Sequence, residues 1–401
     1  MTTSTASGIA PTTYEDWRPV DLYDLPAEQQ PRWSDQVNRA NAVEELTRSA
    51  ALVTLPEVRL LREKLADAGA GRAFVLQAGD CAESFADSPA DALTKADVLT
   101  ALAKRLSRAV GRSVVPVARI AGQFAKPRSA PFETAGALRL PAFRGHIIND
   151  ERPTPHARRH DATRMVDAYQ HASATMAALR AARWIGRVWT SHEALVLDYE
   201  VPLTRRVDDD WLLTSTHLPW IGARTNQLDH AHVALAAQVV NPVGCKVTAS
   251  TSPETMLDLC ERLNPQRLAG RLVLISRMGS GHVRRALPPL LRAVARAGHQ
   301  VTWLCDPMHG NTVTTGQGLK TRRLDDVVDE INGFLWAHEQ AGTIAGGIHL
   351  ELAGREVTEC LGLPGPTDEG ELPVAYTSLC DPRLSPAQAE AVVDRVGWSA
   401  G

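Results

Sequence analysis

The 401-residue chain contains no apolar run approaching the roughly 18 residues of a membrane-spanning helix, which excludes a helical membrane protein. It has no block of basic residues and no alternation of aromatic with basic side chains. Its formal net charge is only -3, so nothing supports nucleic-acid binding. Residues 1–13 are rich in Thr, Ser and Ala, without a basic stretch leading into an apolar one, and so do not read as a secretory signal. They are expected to form a disordered tail, and the protein is expected to be cytoplasmic. The six cysteines, Cys81, Cys245, Cys260, Cys305, Cys360 and Cys380, lack zinc-finger spacing and are expected to be thiols rather than a disulfide framework.

What is present is a rhythm. The apolar fraction of 44% supports a sizeable core, and the length fits one large α/β barrel or two ordinary domains. Residues 14–30 read as an extended arm, packed on a neighbour, and residues 41–68 as helices interrupted at Pro56 that cap one end of the fold. Short β-favouring runs then follow at 72–77, 113–120, 187–191, 211–215, 242–247, 271–276, 300–304 and 346–350. Helical patterns separate them at 90–110, 161–182, 193–206, 223–239, 253–263, 282–297 and 322–340, and a last one runs over 385–396. About eight β-α units favour a closed (β/α)8 TIM barrel with an N-terminal helical extension over an open sheet. The expected division is a tail, arm and helices over 1–70 and a barrel over 71–401.

Polar residues gather where these strands end, the face on which barrel active sites lie. The run 300–304 stops at Asp306, followed by Pro307, Met308 and His309; alone, this is equally well a strand leaving the core through a solvated turn. Arg119, Lys246 and Arg277 end three different strands and would converge on one mouth, which suits phosphate and carboxylate ligands. Lys126-Pro127-Arg128-Ser129, on a long polar loop, forms a second anion-binding candidate. Cys81, His309, Glu351 and Asp381 form a mixed donor set suited to a borderline divalent ion. Their sequence spacing alone does not define a site.

The motifs themselves are distinctive. They include Gly79-Asp80-Cys81-Ala82-Glu83, Gly122-Gln123-Phe124-Ala125-Lys126-Pro127-Arg128-Ser129, Ser191-His192-Glu193, Trp220-Ile221-Gly222 and Asn241-Pro242-Val243-Gly244-Cys245-Lys246. Further on come Ser276-Arg277-Met278-Gly279, Asp306-Pro307-Met308-His309-Gly310-Asn311-Thr312, Val357-Thr358-Glu359-Cys360 and Cys380-Asp381-Pro382-Arg383-Leu384. Together, in this order, they resemble the class II, plant-like 3-deoxy-D-arabino-heptulosonate 7-phosphate (DAHP) synthases. The resemblance implies a (β/α)8 barrel and a metal-dependent condensation of phosphoenolpyruvate with erythrose 4-phosphate, the first step of the shikimate pathway.

By the same resemblance Cys81, His309, Glu351 and Asp381 hold a divalent metal, Mn²⁺ or Co²⁺. Arg119, Arg224, Lys246 and Arg277 bind phosphoenolpyruvate, and Lys126, Arg128 and Ser129 bind the phosphosugar. Lys126, Asp306, Lys246 and His309 are the implied catalytic residues, with Lys126 and a water both candidates for the acid. The family implies a homodimer or homotetramer. A chorismate mutase partner occurs in some relatives, but no residue here points to one. If Cys81 and Asp381 share a metal, the Cys380 thiol lies close to Cys81, and oxidation would join the two.

Several positions depart from the family's pattern. Ala223 replaces an acid, Asn226 an Arg, His230 a Gly, Thr248 a Gly and His146 an Asp, and these changes are expected to cluster around the substrates. Drift away from the chemistry explains them most simply. A changed acceptor, as in aminoDAHP synthases, and a non-catalytic regulatory paralogue are the alternatives. No room exists before residue 187 for the inserted helices that long members use to bind aromatic amino acids. Weak or absent feedback inhibition is therefore expected, with the secondary-metabolic role often served by short members.

Overall fold

A computed structural model of the chain describes residues 18–136 and 138–398; the expected tail lies outside them. Eight strands form a closed, all-parallel barrel: β1 (Ala73–Gly79), β2 (Ser113–Arg119), β3 (Trp189–Glu193), β4 (Leu218–Ile221), β5 (Val243–Thr248), β6 (Leu272–Arg277), β7 (Val301–Cys305) and β8 (Ala345–Glu351). Each pairs with its neighbours in sequence, and β8 closes on β1, placing Gly79 between Glu351 on one side and Arg119 on the other. The strands are buried along nearly their whole length, because helices cover the outer face and side chains fill the inner one.

Among the described residues a 3-10 helix (Pro19–Asp24), in the arm expected to be extended, and two α-helices precede the barrel. α1 (Gln36–Arg48) starts at Asp35, whose carboxylate accepts the N–H groups of Val37 and Asn38. α2 (Leu55–Gly69) starts with a capping box in which the Thr54 N–H donates to Glu57 (2.8 Å). Leu61, Leu65 and Ala68 of α2 join Val75, Val117, Trp189, Trp220, Val273 and Leu304 in one buried cluster inside the barrel. The N-terminal extension thus plugs the end of the barrel opposite the strand C-termini. The remaining helices are α3 (Pro89–Val110), α4 (Arg164–Ala181), α5 (Leu197–Glu200), α6 (Ala231–Gln238), α7 (Pro253–Leu263), α8 (Val283–Arg296), α9 (Leu324–Ala341) and α10 (Pro386–Arg395).

Three sequence expectations change. The run 211–215 is not the fourth barrel strand. Asp210–Leu213 pairs antiparallel with Thr204–Val207 in a hairpin outside the barrel, and Leu218–Ile221 supplies the strand instead. The Leu-Leu run reads as the stronger strand, while Pro219, which has no N–H to donate, weakens the true one. The helix expected over 193–206 contracts to α5, because Thr204–Arg206 belongs to the hairpin. The helix expected over 223–239 begins only at Ala231, leaving 223–230 as a loop at the barrel mouth. The described part of the arm packs on its own barrel: Pro26 O accepts the Ala231 N–H (2.9 Å), and Gln30 bonds to the backbone of Leu195 and Leu197.

The plug gives a direct test. Leu65→Ala should lower unfolding free energy by about 2–5 kcal/mol in urea titrations, as expected for a cavity in a packed core. Leu60→Ala, on the exposed side of the same helix, should stay within about 0.5 kcal/mol of the parent.

Candidate active site

The polar residues at the strand C-termini meet around one carboxylate. Glu351, the last residue of β8, is fully buried. Its Oε1 lies 3.0 Å from Arg119 Nη2, 3.0 Å from Lys126 Nζ and 3.1 Å from His309 Nε2, and its Oε2 lies 2.8 Å from Arg322 Nη2. Burial pushes the Glu351 pKa up, but His309, Lys126, Arg322 and Arg119 outweigh it and hold the group well below the usual carboxylate range. Lys126 also pairs with Asp381 (2.8 Å), and Lys320 pairs with the other Asp381 oxygen (2.7 Å). Burial alone would lower the Lys126 pKa; Asp381 and Glu351 raise it, so the ammonium keeps its charge.

Local structure explains how Lys126 reaches this point. The Glu83 carboxylate accepts the N–H groups of Ala121, Gly122 and Gln123, fixing the loop after β2. The Lys126 N–H donates to Arg144 O (2.9 Å). The next residue, Gly145, has φ +98°, and a Cβ there would run into Phe124 O, so the turn requires glycine.

The donor set fits a divalent cation. Ligand atoms of His309, Glu351 and Asp381 all lie within 4.8 Å of one another. The Lys126 ammonium, 3.3 Å from His309 Nε2, already places a positive charge among them. Burial lowers the His309 pKa; its Nδ1 lies 2.8 Å from Asp306 Oδ2 and its Nε2 faces Glu351, so a proton on Nδ1 given to Asp306 would leave Nε2 to ligate. Cys81 lies outside that group of three. Its Sγ is 3.0 Å from Ser378 Oγ, whose hydroxyl donates to Asp381 O (2.5 Å). Burial raises the Cys81 pKa, but a hydrogen bond with the Cys380 thiol, together with Lys126 and Arg383, brings it down to about 6.

Beside this cluster opens a cavity of about 410 Å³. Lys126, Arg128, Ser129, Arg224, Lys246, Arg277 and Lys320 line it, with Glu193, His309 and Asp381. Arg224 Nη2 donates to Ser129 Oγ (2.6 Å), joining the two sequence-predicted anion clusters. Arg277 Nη2 donates to His309 O (3.3 Å), while its Nε has no partner among the described residues. Lys246 Nζ pairs with Asp306 Oδ2 (2.8 Å); burial, Arg119 and Arg277 together push the lysine down to about 8. Glu193 Oε1 is also buried without a partner among the described residues.

Arg119 is placed differently from its neighbours. It does not line the cavity but lies behind Glu351, with Nη1 donating to His349 Nε2 (2.7 Å) and Nε to Asp80 O (2.9 Å). His349 in turn donates from Nδ1 to Gln77 Oε1 (2.8 Å). Sequence reasoning misses this His349–Gln77 support, Arg322 and Lys320. Arg322 and Lys320 stand just before α9, where the pattern reads as a helix start. Only the chain's return beside β8 brings them to Glu351 and Asp381.

The departures from the family pattern separate. Ala223 lines the cavity. Asn226 Nδ2 donates to Lys246 O (3.0 Å), His230 precedes α6 as its N-cap, and Thr248 N donates to Thr251 Oγ1 (3.1 Å). His146 Nδ1 accepts the Phe85 N–H (2.8 Å), and its Nε2 lies 2.5 Å from Glu151 Oε2. Of these five positions Ala223 lines the cavity and the other four do not.

A sequence model described as the class-II DAHP synthetase family matches residues 17–186 and 185–396. The chain belongs to this family. It is 45% identical over 381 residues to a probable phospho-2-dehydro-3-deoxyheptonate aldolase of Pseudomonas fluorescens, covering 93% of this chain and 94% of that protein. It is 40% identical to the phospho-2-dehydro-3-deoxyheptonate aldolase of Mycolicibacterium smegmatis, covering 91% and 90%. The Streptomyces coelicolor enzyme of the same name is 38% identical, covering 95% of both chains. The fold and the enzyme class expected from sequence accord with this membership.

The expected closeness of the Cys81 and Cys380 thiols is testable. Diamide treatment of metal-free protein should oxidise the pair to a disulfide, the two thiols giving two electrons and two protons to the oxidant. Peptide mapping should show a Cys81–Cys380 linkage that Cys380→Ser abolishes; a linkage through any other pair would refute the assignment.

Proposed function

We propose that this DAHP synthase family member condenses phosphoenolpyruvate with erythrose 4-phosphate, releasing phosphate, with a divalent cation held by Cys81, His309, Glu351 and Asp381. The observation that carries this reading is one cavity lined by two basic clusters beside an acidic and imidazole donor set. When bound, the cation, Mn²⁺ or Co²⁺, supplies Lewis-acid polarisation of the aldehyde.

The protein groups do the rest. Arg224, Lys246 and Arg277 neutralise the phosphate and carboxylate of phosphoenolpyruvate and hold its C3 toward the acceptor. Arg128 and Ser129 bind the phosphosugar at the other end. Attack by C3 leaves cationic character at C2, where a water adds before phosphate departs. Glu193, with its unpaired oxygen, is the group available to take the proton from that water. Lys126, charged and within the donor set, donates to the oxygen of the former aldehyde. Asp306 fixes His309 and pairs with Lys246. Arg119, behind Glu351, acts by orienting that carboxylate. The assembly is proposed as a homo-oligomer, and a supply of secondary metabolism as its context, both from family membership.

A second reading, an acceptor other than erythrose 4-phosphate, draws on Ala223, the one departure on the cavity wall. Phosphate release from phosphoenolpyruvate should be measured across a panel of aldehydes after chelation and after adding back Mn²⁺ or Co²⁺. Turnover with erythrose 4-phosphate that is lost on chelation and restored by metal supports the first reading; turnover only with another aldehyde supports the second. Neither, with no metal bound, defeats both. Arg277→Lys should raise KM for phosphoenolpyruvate roughly 10- to 100-fold, the range for a lost charged hydrogen bond. Only residues 182–188 connect α4 to β3, so saturating Trp, Phe or Tyr should leave the rate unchanged, and an abolished rate would contradict this.

A further inference from the structure

Glu330 lies on α9, outside the cavity, and is fully buried. Its Oε1 accepts the N–H groups of Met278 (2.8 Å) and Gly279 (2.9 Å), the two residues that follow Arg277. Its Oε2 accepts from Asn311 Nδ2 (2.7 Å), two residues beyond His309. Asn311 closes the circuit, because its Oδ1 accepts the Ser280 N–H (3.0 Å) and its Nδ2 also donates to Pro307 O (2.8 Å). The two loops touch directly as well: a Cβ on Gly310 would run into Gly279 N. Arg277 and His309 meet where Arg277 donates to His309 O.

We propose that Glu330 is a positioning residue that sets Arg277 against His309 by clamping together the loops after β6 and β7. A buried carboxyl is unfavourable unless donors compensate it. Here the three hydrogen bonds to the Glu330 carboxyl come from those two loops and none from α9. The nearby α9 residues Val327, Ile331 and Phe334 are apolar and buried, so packing alone does not call for a carboxylate here. Without the clamp the Met278 and Gly279 N–H groups lose their partner, and the basic group for phosphoenolpyruvate drifts relative to the imidazole that faces the cation. The inference rests on the roles proposed above for Arg277 and His309.

The test uses the full chain with Glu330→Gln, Asn311→Asp, the double variant Glu330→Gln/Asn311→Asp, and Asn311→Ala. Mn²⁺ affinity of metal-free protein is read by EPR, KM for phosphoenolpyruvate by phosphate release, and backbone mobility by amide hydrogen exchange over 277–281 and 306–311. Each single variant should weaken Mn²⁺ binding by up to roughly 10-fold, the low end of the scale for partners bonded directly to a ligand, because Glu330 acts on His309 through Asn311 and the loop, and should raise KM alongside it. The double variant should recover much of both. In it the amide introduced at position 330 donates to the carboxylate introduced at position 311, while the carbonyl of that amide keeps the two backbone N–H groups. Losses that simply add in the double variant, or variants that stay folded with Mn²⁺ affinity, KM and exchange unchanged, overturn the proposal. Asn311→Ala, which removes the link between loops together with the bond to Pro307 O, decides the matter if the Glu330 variants fail to fold. Wild-type protein that binds neither Mn²⁺ nor phosphoenolpyruvate would sink the proposed function. The clamp would still be judged by exchange, which must rise in both loops of Asn311→Ala for it to stand.

Discussion

The Glu351 carboxylate sits at the end of β8 in contact with Arg119, Lys126, His309 and Arg322, all four from other parts of the chain. Removing a charge of this kind from water costs several kcal/mol after relaxation, and a single partner recovers that only with good geometry. Glu351 has two guanidinium groups and an ammonium. Removing any one partner would leave buried charge uncompensated, so the surrounding loops are constrained together. Arg119 fixes Glu351 from the β2 side, Arg322 from the segment before α9, and Lys126 from the loop held by Glu83 and Gly145. The barrel supplies the frame for this, since closure of β8 on β1 brings Glu351 and Arg119 to opposite sides of Gly79.

The charges do not balance locally, and that imbalance carries the chemistry. Asp381, Asp306 and Glu351 are each held ionised by basic neighbours. Around the same cavity stand Arg128, Arg224, Arg277, Lys126, Lys246 and Lys320. Burial pushes the Arg224 pKa down, and the nearby Arg277 guanidinium pushes it down further by like-charge repulsion. An anionic ligand relieves that repulsion. Two substrates that each carry a phosphate suit the two basic clusters.

How much of this is legible in the sequence follows from what each feature depends on. Seven of the eight strands are legible because buried parallel strands are locally apolar and each ends in a turn. The fourth is misplaced because Leu218–Ile221 is short and contains Pro219, whereas the stronger run at 211–215 serves a hairpin outside the barrel. The cavity-lining basic residues other than Lys320 are legible because each terminates a strand or sits in a recognisable loop motif. Arg322, Lys320, His349 and Glu330 are not, because each acts through a contact across long sequence separation. Glu330 looks, in sequence, like one acid among several on a helix. Its burial and its donors from two other loops emerge only when the helix is packed.

The same distinction bears on the changed positions. Asn226, His230, Thr248 and His146 lie off the cavity wall, and the side chains of two of them satisfy backbone groups: Asn226 donates to Lys246 O and His146 accepts the Phe85 N–H. A polar side chain that satisfies a backbone group can be exchanged for another that does the same, with little effect on a ligand it does not touch. Ala223 differs in kind, because a methyl group replaces a charge on the wall of the cavity, next to Arg224. Loss of an acid there makes the basic side of the cavity more positive and removes one hydrogen-bond acceptor. Glu193 and Asp381 are carboxylates on the cavity lining that favour the Arg224 charge, and Glu193 has the buried oxygen without a partner among the described residues. Its unpaired buried oxygen would carry acceptor duties that two acids could otherwise divide. Any difference in acceptor choice between this chain and its relatives is therefore most economically sought in the pairing of Ala223 with Glu193, rather than in the four scaffold positions.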